Sequence, residues 1–273
     1  MKNLDILNKN IVLIAGSGSF VFEAAQYLTK VNRLKKIYLL EDNKLLLRNF
    51  SNKITKSNIR NLELIIKDIK KFELKNIIIL GYVSLPDIKD IKLSFSTKLY
   101  LTKNFFFNSV SDQSVILKNL LIKKKLNLLS QKKTFSNFLA ETRDEYIQKE
   151  HSEIVKLLKK NTHYIKNIFK NNISQSFIMN GIRTLAYEDI YGTDSLIKRI
   201  GSSNNFNNLI LIKSMKNNQI DEIDFPIVGM KTLKLLQKYN FKILCLFKGK
   251  TLISKKKLFL DSIPKSNLSL IIL

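Results

Sequence analysis

The strongest constraint on the fold is an alternation in the first half of the chain between short, continuously apolar runs and helical stretches. From residue 10 onward come Ile11-Val12-Leu13-Ile14, a helical pattern from Phe20 to Lys30, then Ile37-Tyr38-Leu39-Leu40, Leu62-Glu63-Leu64-Ile65-Ile66 and Ile77-Ile78-Ile79-Leu80. Strands that are apolar throughout, rather than alternately apolar and polar, are buried on both faces. Separated by helices, they imply a parallel sheet covered on both sides. A glycine-containing turn, Gly16-Ser17-Gly18-Ser19, leaves the first run and enters the first helix, so a Rossmann-like start is expected.

A chain of 273 residues exceeds what one hydrophobic core usually serves, so two α/β domains are expected. Between about 111 and 170 the pattern turns helical and charged, with Val115, Leu117, Leu120 and Leu121 on one apolar face and Ile154, Leu157, Leu158, Tyr164 and Ile165 on another. The polar run Glu141-Thr142-Arg143-Asp144-Glu145 marks the boundary. It gives a Rossmann-like N-terminal domain over 1–143 and a C-terminal α/β domain over 144–273. In the second half, two strand-like runs flank Asn180-Gly181, the signature of a type I′ hairpin. A helix is expected to start at Thr193 or Asp194, capped by either side chain. Strands over Leu209 to Ile212, Ile243 to Phe247 and Leu268 to Leu273, with a helix from Met230 to Tyr239, complete the pattern.

The chain carries 47 Lys and Arg against 22 Asp and Glu, a formal charge of +25. Charge of this size ordinarily points to nucleic acid or an anionic surface. Nearly all of it is Lys, however, beside abundant Asn and Ile, the residues that A/T-rich codons supply. An Arg-poor surface gives diffuse attraction rather than bidentate recognition, which argues against a specific nucleic-acid reader. Cys245 stands alone in an apolar run and reads as a small core residue, excluding a disulfide framework or a Cys-built metal site. The run Ile11 to Ala15 is too short for a signal segment and no later stretch is long enough to span a bilayer, so a cytoplasmic protein is expected.

Three places carry chemical potential. Gly16-Ser17-Gly18 sits where backbone N–H groups and a helix N-terminus can meet a phosphate, though it lacks the third glycine of the dinucleotide fingerprint and reads equally as a plain tight turn. Glu41 and Asp42 stand where a ribose-binding acid would follow, which leaves an NAD(P)-dependent oxidoreductase as a minor alternative. Gly81-Tyr82-Val83-Ser84-Leu85-Pro86-Asp87 leaves the strand Ile77 to Leu80 at its carboxyl end, the edge at which parallel sheets bind ligands. The third place is acidic: Glu188, Tyr191-Gly192-Thr193-Asp194 and Asp224-Phe225-Pro226 suit a hard cation that takes oxygen ligands. Asp194 reads also as a helix cap and Asp224 as a turn acid. His151 and His163, alone on a charged helical stretch, read as surface residues, against zinc.

Taken in order, these pieces resemble the LpxI family, UDP-2,3-diacylglucosamine pyrophosphatases. The resemblance rests on Leu13-Ile14-Ala15-Gly16-Ser17-Gly18, on Gly81-x-Val83 with Pro86, and on Gln175 leading to Glu188, Gly192-Thr193-Asp194 and Arg199. It continues through Lys213, Lys216, Gln219, Asp224, Pro226, Gly229 and Thr232. It implies a two-domain, Mg²⁺-dependent hydrolase that holds its lipid substrate between the halves and releases UMP and lipid X. The implied catalytic and metal-side carboxylates are Asp224 first, then Glu188 and Asp194. The implied substrate-binding residues are Gly16, Ser17, Gly18, Gly81, Val83, Pro86, Gln175, Thr193, Lys213, Lys216, Gln219, Gly229 and Thr232. Lys213 and Lys216 are suited to take the diphosphate as point charges, and Phe105-Phe106-Phe107 to line an acyl cleft or pack in the core. The chain departs from the family at Leu85 and Glu222, where the family has basic residues, at Tyr191 and Ile220, where the family has acidic ones, at Ile227, and at Ser111-Asp112-Gln113. These departures keep open a catalytically weakened nucleotide- or lipid-binding homologue. Diffuse Lys charge also makes peripheral contact with the inner membrane a reasonable expectation.

Overall fold

In a computed structural model, residues 10–83, Ser94, Thr97, 113–203 and 206–273 are described. Pro86, Leu85, Ser111, Asp112 and the Phe105 to Phe107 cluster lie outside the described residues. The chain divides into two compact units, one ending at Thr134 but also containing Ile220–Asp224, the other formed by Phe135–Gln219 and Phe225–Leu273.

The N-terminal unit is a five-stranded sheet in the order β3-β2-β1-β4-β5, all pairs parallel: β1 Ile11–Ala15, β2 Leu34–Leu39, β3 Ile54–Lys56, β4 Asn76–Leu80 and β5 Asn127–Leu128. Helices α1 (Ser19–Lys30), α2 (Lys44–Phe50), α3 (Leu62–Lys71) and α4 (Gln113–Lys123) accompany it. The run Leu62 to Ile66, expected as a strand, is instead the start of α3. Leu62, Ile65, Ile66 and Ile69 are buried on one side while Leu64 faces outward, so the spacing is that of a helix and the β-branched content misleads. The third strand is the short Ile54–Lys56 at the sheet edge.

The strand order reverses between β1 and β4, and the Gly16 and Gly81 turns leave the carboxyl ends of these two strands. The turns interlock: Ser17 N–H donates to Tyr82 O at 2.8 Å and Tyr82 N–H to Ser17 O at 2.9 Å. A Cβ at Gly16 would lie 2.3 Å from Tyr82 O, and one at Gly81 2.5 Å from Ser17 O. Glycine is therefore demanded here by one loop's backbone against the other's.

Residues Ile220–Asp224 join this unit through several anchors. Gln131 N–H donates to Asp221 O at 3.0 Å and the Gln131 amide to Ile79 O in β4 at 2.8 Å. Ser130 Oγ donates to Asp221 Oδ2 at 2.6 Å, Lys118 pairs with Glu222 at 2.9 Å, and Ile223 packs on the core of Val12, Ile14, Ile77 and Ile79. Burial pushes the Asp221 carboxyl above its ordinary range, reinforced by the neighbouring Glu222. Glu222 is buried too, but the Lys118 ammonium outweighs that and holds it below the usual range.

The C-terminal unit has a two-stranded parallel pair, β9 (Ile227–Val228) and β11 (Leu252–Ile253), and a mixed sheet in the order β12-β10-β8-β6-β7. β8 (Leu209–Lys213), β10 (Ile243–Leu246) and β12 (Ser269–Ile272) are parallel, while β6 (Ser176–Asn180) and β7 (Arg183–Tyr187) continue it antiparallel. Burial alternates residue by residue. Leu209, Leu211, Leu244, Leu246 and Leu270 pack with α7 (Gly192–Gly201), α8 (Met230–Lys238) and α9 (Lys256–Ser262). Ile210, Ile212, Ile243, Cys245 and Ile271 pack on the opposite face with α5 (Ser152–Lys160) and α6 (Thr162–Lys170). Two apolar faces on each strand make the runs unbroken in sequence. On α5 and α6 the inward residues are Val155, Leu158, Ile165, Ile168 and Phe169; Leu157 and Tyr164 are exposed, contrary to expectation.

Further differences have local causes. The hairpin loop is Gly181-Ile182, between paired Asn180 and Arg183, and only Gly181 has a positive φ (58°); type I′ needs two such residues. The polar run at Glu141, read as the domain boundary, folds into a short turn whose Asp144 is ion-paired with Lys256 at 2.7 Å, within the unit that begins at Phe135. His151 is buried, its Nδ1 2.9 Å from Ser269 Oγ, and burial lowers its proton affinity.

Two measurements test this account. Gly16→Ala is expected to destabilise the protein by about 2–3 kcal/mol through backbone overpacking, whereas Gly181→Ala, with nothing within 4 Å of the added carbon, should cost only about 1 kcal/mol of φ strain, both read by urea denaturation. Glu63 is buried, which opposes ionisation, but donors from Ser94, Thr97 and Lys124 outweigh this and hold its carboxyl at about 2. A depressed carboxylate stabilises the fold above its unfolded value and ceases to do so as pH falls through the folded one. Glu63→Gln should therefore flatten the loss of stability below about pH 4.5, and an unchanged acid limb would remove Glu63 as its source.

Candidate functional site

Lys213 ends the apolar strand β8, and its side chain is 6% exposed. An ammonium group there needs partners on every side. Because β6 runs antiparallel to β8, Ser176 is the residue directly opposite Lys213. Its hydroxyl accepts from Lys213 Nζ at 3.1 Å, and the Thr193 hydroxyl accepts at 2.6 Å. Glu188, its side chain 8% exposed, places Oε2 at 3.7 Å from the ammonium and accepts a hydrogen bond from the Thr193 hydroxyl at 2.9 Å. The Gln175 amide donates to Glu188 Oε1 at 3.3 Å, the Gln219 amide to Gln175 Oε1 at 3.0 Å, and Lys216 N–H to Gln219 Oε1 at 3.0 Å. Six of the expected residues, Gln175, Glu188, Thr193, Lys213, Lys216 and Gln219, thus form one chain of contacts.

Helix α7 starts at Gly192, ahead of the expected Thr193 or Asp194, and no side chain caps it. Thr193 is instead committed to Glu188 and Lys213, and Asp194 to Lys231 at 2.7 Å. A charged partner is a stronger attraction than a cap. The Asp194–Lys231 pair joins the first turns of α7 and α8, and with them come Gly229, immediately before α8, and the buried Thr232. Asp224 is exposed and is grouped, with Gly16, Ser17, Gly18, Gly81 and Val83, in the N-terminal unit.

Ser176 was not anticipated. Its only sequence signal is a hydroxyl at the head of an apolar strand, and its meaning depends on a cross-strand register that sequence does not display. Arg199 closes on Asp189 at 2.7 Å; the Tyr191 N–H and the Arg199 guanidinium hold that carboxyl below its usual range.

Among the described residues, no three His, Cys, Asp or Glu side chains are grouped to hold a metal. A hard cation that draws its remaining ligands from phosphate and water needs only one or two carboxylates. Asp224, exposed, and Asp194, whose partner Lys231 is 80% exposed and readily displaced, each fit that demand. Glu188 fits it poorly, because both its oxygens already accept donors and turning one to a metal would strand the Lys213 charge.

Residues 10–138 match the LpxI N-terminal domain and residues 145–271 the LpxI C-terminal domain. The chain belongs to the LpxI family. Membership places it among enzymes of lipid A biosynthesis, and the oxidoreductase alternative loses its support, since the Tyr82 contact already accounts for Gly16. Curated proteins provide no match. No helix among the described residues is long and apolar enough to cross a membrane.

Removing one partner of a buried pair leaves the other charge uncompensated. Lys213→Met should therefore cost roughly 3 kcal/mol in urea denaturation, and the double variant Lys213→Met/Glu188→Gln should recover a good part of it. Additive losses would mean that the two side chains do not act as a pair.

Proposed function

We propose that the chain hydrolyses the pyrophosphate bond of UDP-2,3-diacylglucosamine in a Mg²⁺-dependent reaction, releasing UMP and 2,3-diacylglucosamine 1-phosphate. The observation that carries this reading is the match to both LpxI domains, in order, along almost the whole chain. The contact network around Lys213 supports it with suitable chemistry.

Pyrophosphate cleavage needs charge neutralised on phosphoryl oxygens and a water aligned for attack. Lys213 supplies a cation whose position is fixed by Ser176 and Thr193 and whose charge is faced by Glu188 Oε2 at 3.7 Å. Gln175 and Gln219 hold Glu188 and the Lys216 loop in register, so the two lysines of this segment are presented together. In this reading Glu188 serves Lys213, while Asp224 of the N-terminal unit or Asp194 of the C-terminal unit, each taken by itself, is the carboxylate that would hold Mg²⁺, a demand that one acid with phosphate and water can meet. When bound, the ion would screen phosphoryl charge and orient water.

The decisive assay incubates the purified protein with UDP-2,3-diacylglucosamine and Mg²⁺, with and without EDTA, and measures UMP. Release with Mg²⁺ and none with EDTA is expected. Asp224→Ala should lower turnover about a hundredfold or more while substrate is still bound, the scale of losing a group that stabilises developing charge. UMP release that survives EDTA would remove the metal from the reaction, and substrate binding with no turnover would make the chain a binding homologue.

A further inference from the structure

The loop between β7 and α7 exposes the most accessible large apolar side chain among the described residues. Ile190 is 91% exposed and Tyr191 beside it 75%. Exposed apolar residues on a loop are commonplace when the loop is loose, but this one is pinned from behind. Asp189 Oδ1 accepts from Tyr191 N–H at 3.0 Å, Asp189 O from Gly192 N–H at 3.1 Å, and Asp189 Oδ2 from Arg199 at 2.7 Å. Arg199 also reaches Tyr187 O at 3.5 Å. Backbone order that would ordinarily serve to bury side chains here holds two of them in water.

The surroundings add apolar surface and positive charge. Ser174 Oγ donates to Glu188 O at 3.2 Å, which places the loop carrying Ile173, 51% exposed, beside the end of β7, where Tyr187 is also exposed. Asn218 N–H donates to Asn172 Oδ1 at 2.8 Å and Asn217 N–H to Phe169 O at 3.1 Å, bringing in the Lys216 loop and the end of α6 with Lys170. The acids of this region are Glu188, Asp189 and Asp194, and each is paired with a cation: Lys213, Arg199 and Lys231. Lys170, Lys198 and Lys216 come in addition, and neither Asn171 to Gln175 nor Ser214 to Gln219 contains an acid. The patch is therefore net positive within a chain of net charge +25.

An aliphatic tip, amphipathic tyrosines and surplus lysines are the combination that binds an anionic bilayer surface: the apolar groups enter the headgroup boundary and the lysines neutralise lipid phosphate. A protein partner would be expected to present its own acidic face, and the charge alone does not require apolar residues at the tip. We propose that Ile190 and Tyr191, with Ile173 and Tyr187 beside them, form a docking surface for an anionic phospholipid membrane. The inference extends the hydrolase reading without depending on it.

The chain contains no Trp, so Tyr191→Trp introduces a single reporter at the tip. Its emission should shift to the blue on adding vesicles of phosphatidylcholine mixed with phosphatidylglycerol, and much less with phosphatidylcholine alone. In co-sedimentation with the mixed vesicles, Ile190→Ser/Tyr191→Ser should bind about tenfold more weakly than the unaltered chain, the scale of losing the burial of such side chains. Matching far-ultraviolet circular dichroism would show that the variant is folded. Equal binding of the two proteins, no binding by the unaltered chain, or lipid-free self-association that the double substitution abolishes would each overturn the proposal. UMP release, measured separately on substrate in detergent micelles, reports on the hydrolase reading whatever the vesicles show.

Discussion

An ammonium group taken out of water must be met by acceptors on every side, and at Lys213 this requirement organises the C-terminal unit. Ser176 reaches it from β6, Thr193 from the first turn of α7 and Glu188 from the loop after β7. None of these is a neighbour in sequence. They meet because a β6-β7 hairpin adds antiparallel to the three parallel strands, which sets Ser176 opposite Lys213 and returns the chain past the same point at Glu188. A wholly parallel sheet would not make that double approach with one short hairpin. The fold's mixed topology and its candidate chemistry thus have the same origin.

The N-terminal unit solves a different problem, the close approach of two loops at the reversal point of its sheet. Two glycines accomplish it, with Ser17 and Tyr82 exchanging backbone hydrogen bonds across the gap. The result is a fixed carboxyl edge to β1 and β4. The segment Ile220–Asp224 is fastened beside β4 by Gln131, which bonds both Asp221 and Ile79. Asp224 therefore follows directly on anchored backbone, its own N–H donating to Ile220 O at 3.0 Å. A carboxylate on such backbone starts with less conformational freedom to lose than one on an untethered turn.

How much of this could be read in advance depended on whether the signal was local. Continuous apolar runs at Ile11, Ile77, Leu209 and Ile243 reported strands with two buried faces, and those strands are present. Leu62 to Ile66 failed because its β-branched content was weighed above the spacing of its apolar residues, which continues to Ile69. His151 looked like a surface residue because its partner, Ser269, lies more than a hundred residues away in sequence. The Glu141 run was read as a domain boundary because the burial of Asp144 depends on Lys256, equally remote. The candidate site residues came one by one from the family pattern. Their grouping, and Ser176 with it, depended on strand register.

The placement of charge bears on the departures from the family pattern. An acidic Glu222 where the family is basic reverses a charge in the very segment that leads to Asp224, and in isolation it should repel a diphosphate. In the fold its carboxylate is taken by Lys118 at 2.9 Å and is mostly buried, while Asp221 beside it is pushed toward its neutral form by burial. The Lys118 ammonium thus offsets the charge that Glu222 adds to the segment. In the C-terminal unit Glu188 and Asp194 are likewise matched by Lys213 and Lys231. A lysine-rich chain can absorb such substitutions because a long ammonium side chain is seldom far from a new carboxylate. Lysine binds as a point charge, without the fixed fork geometry that arginine would demand.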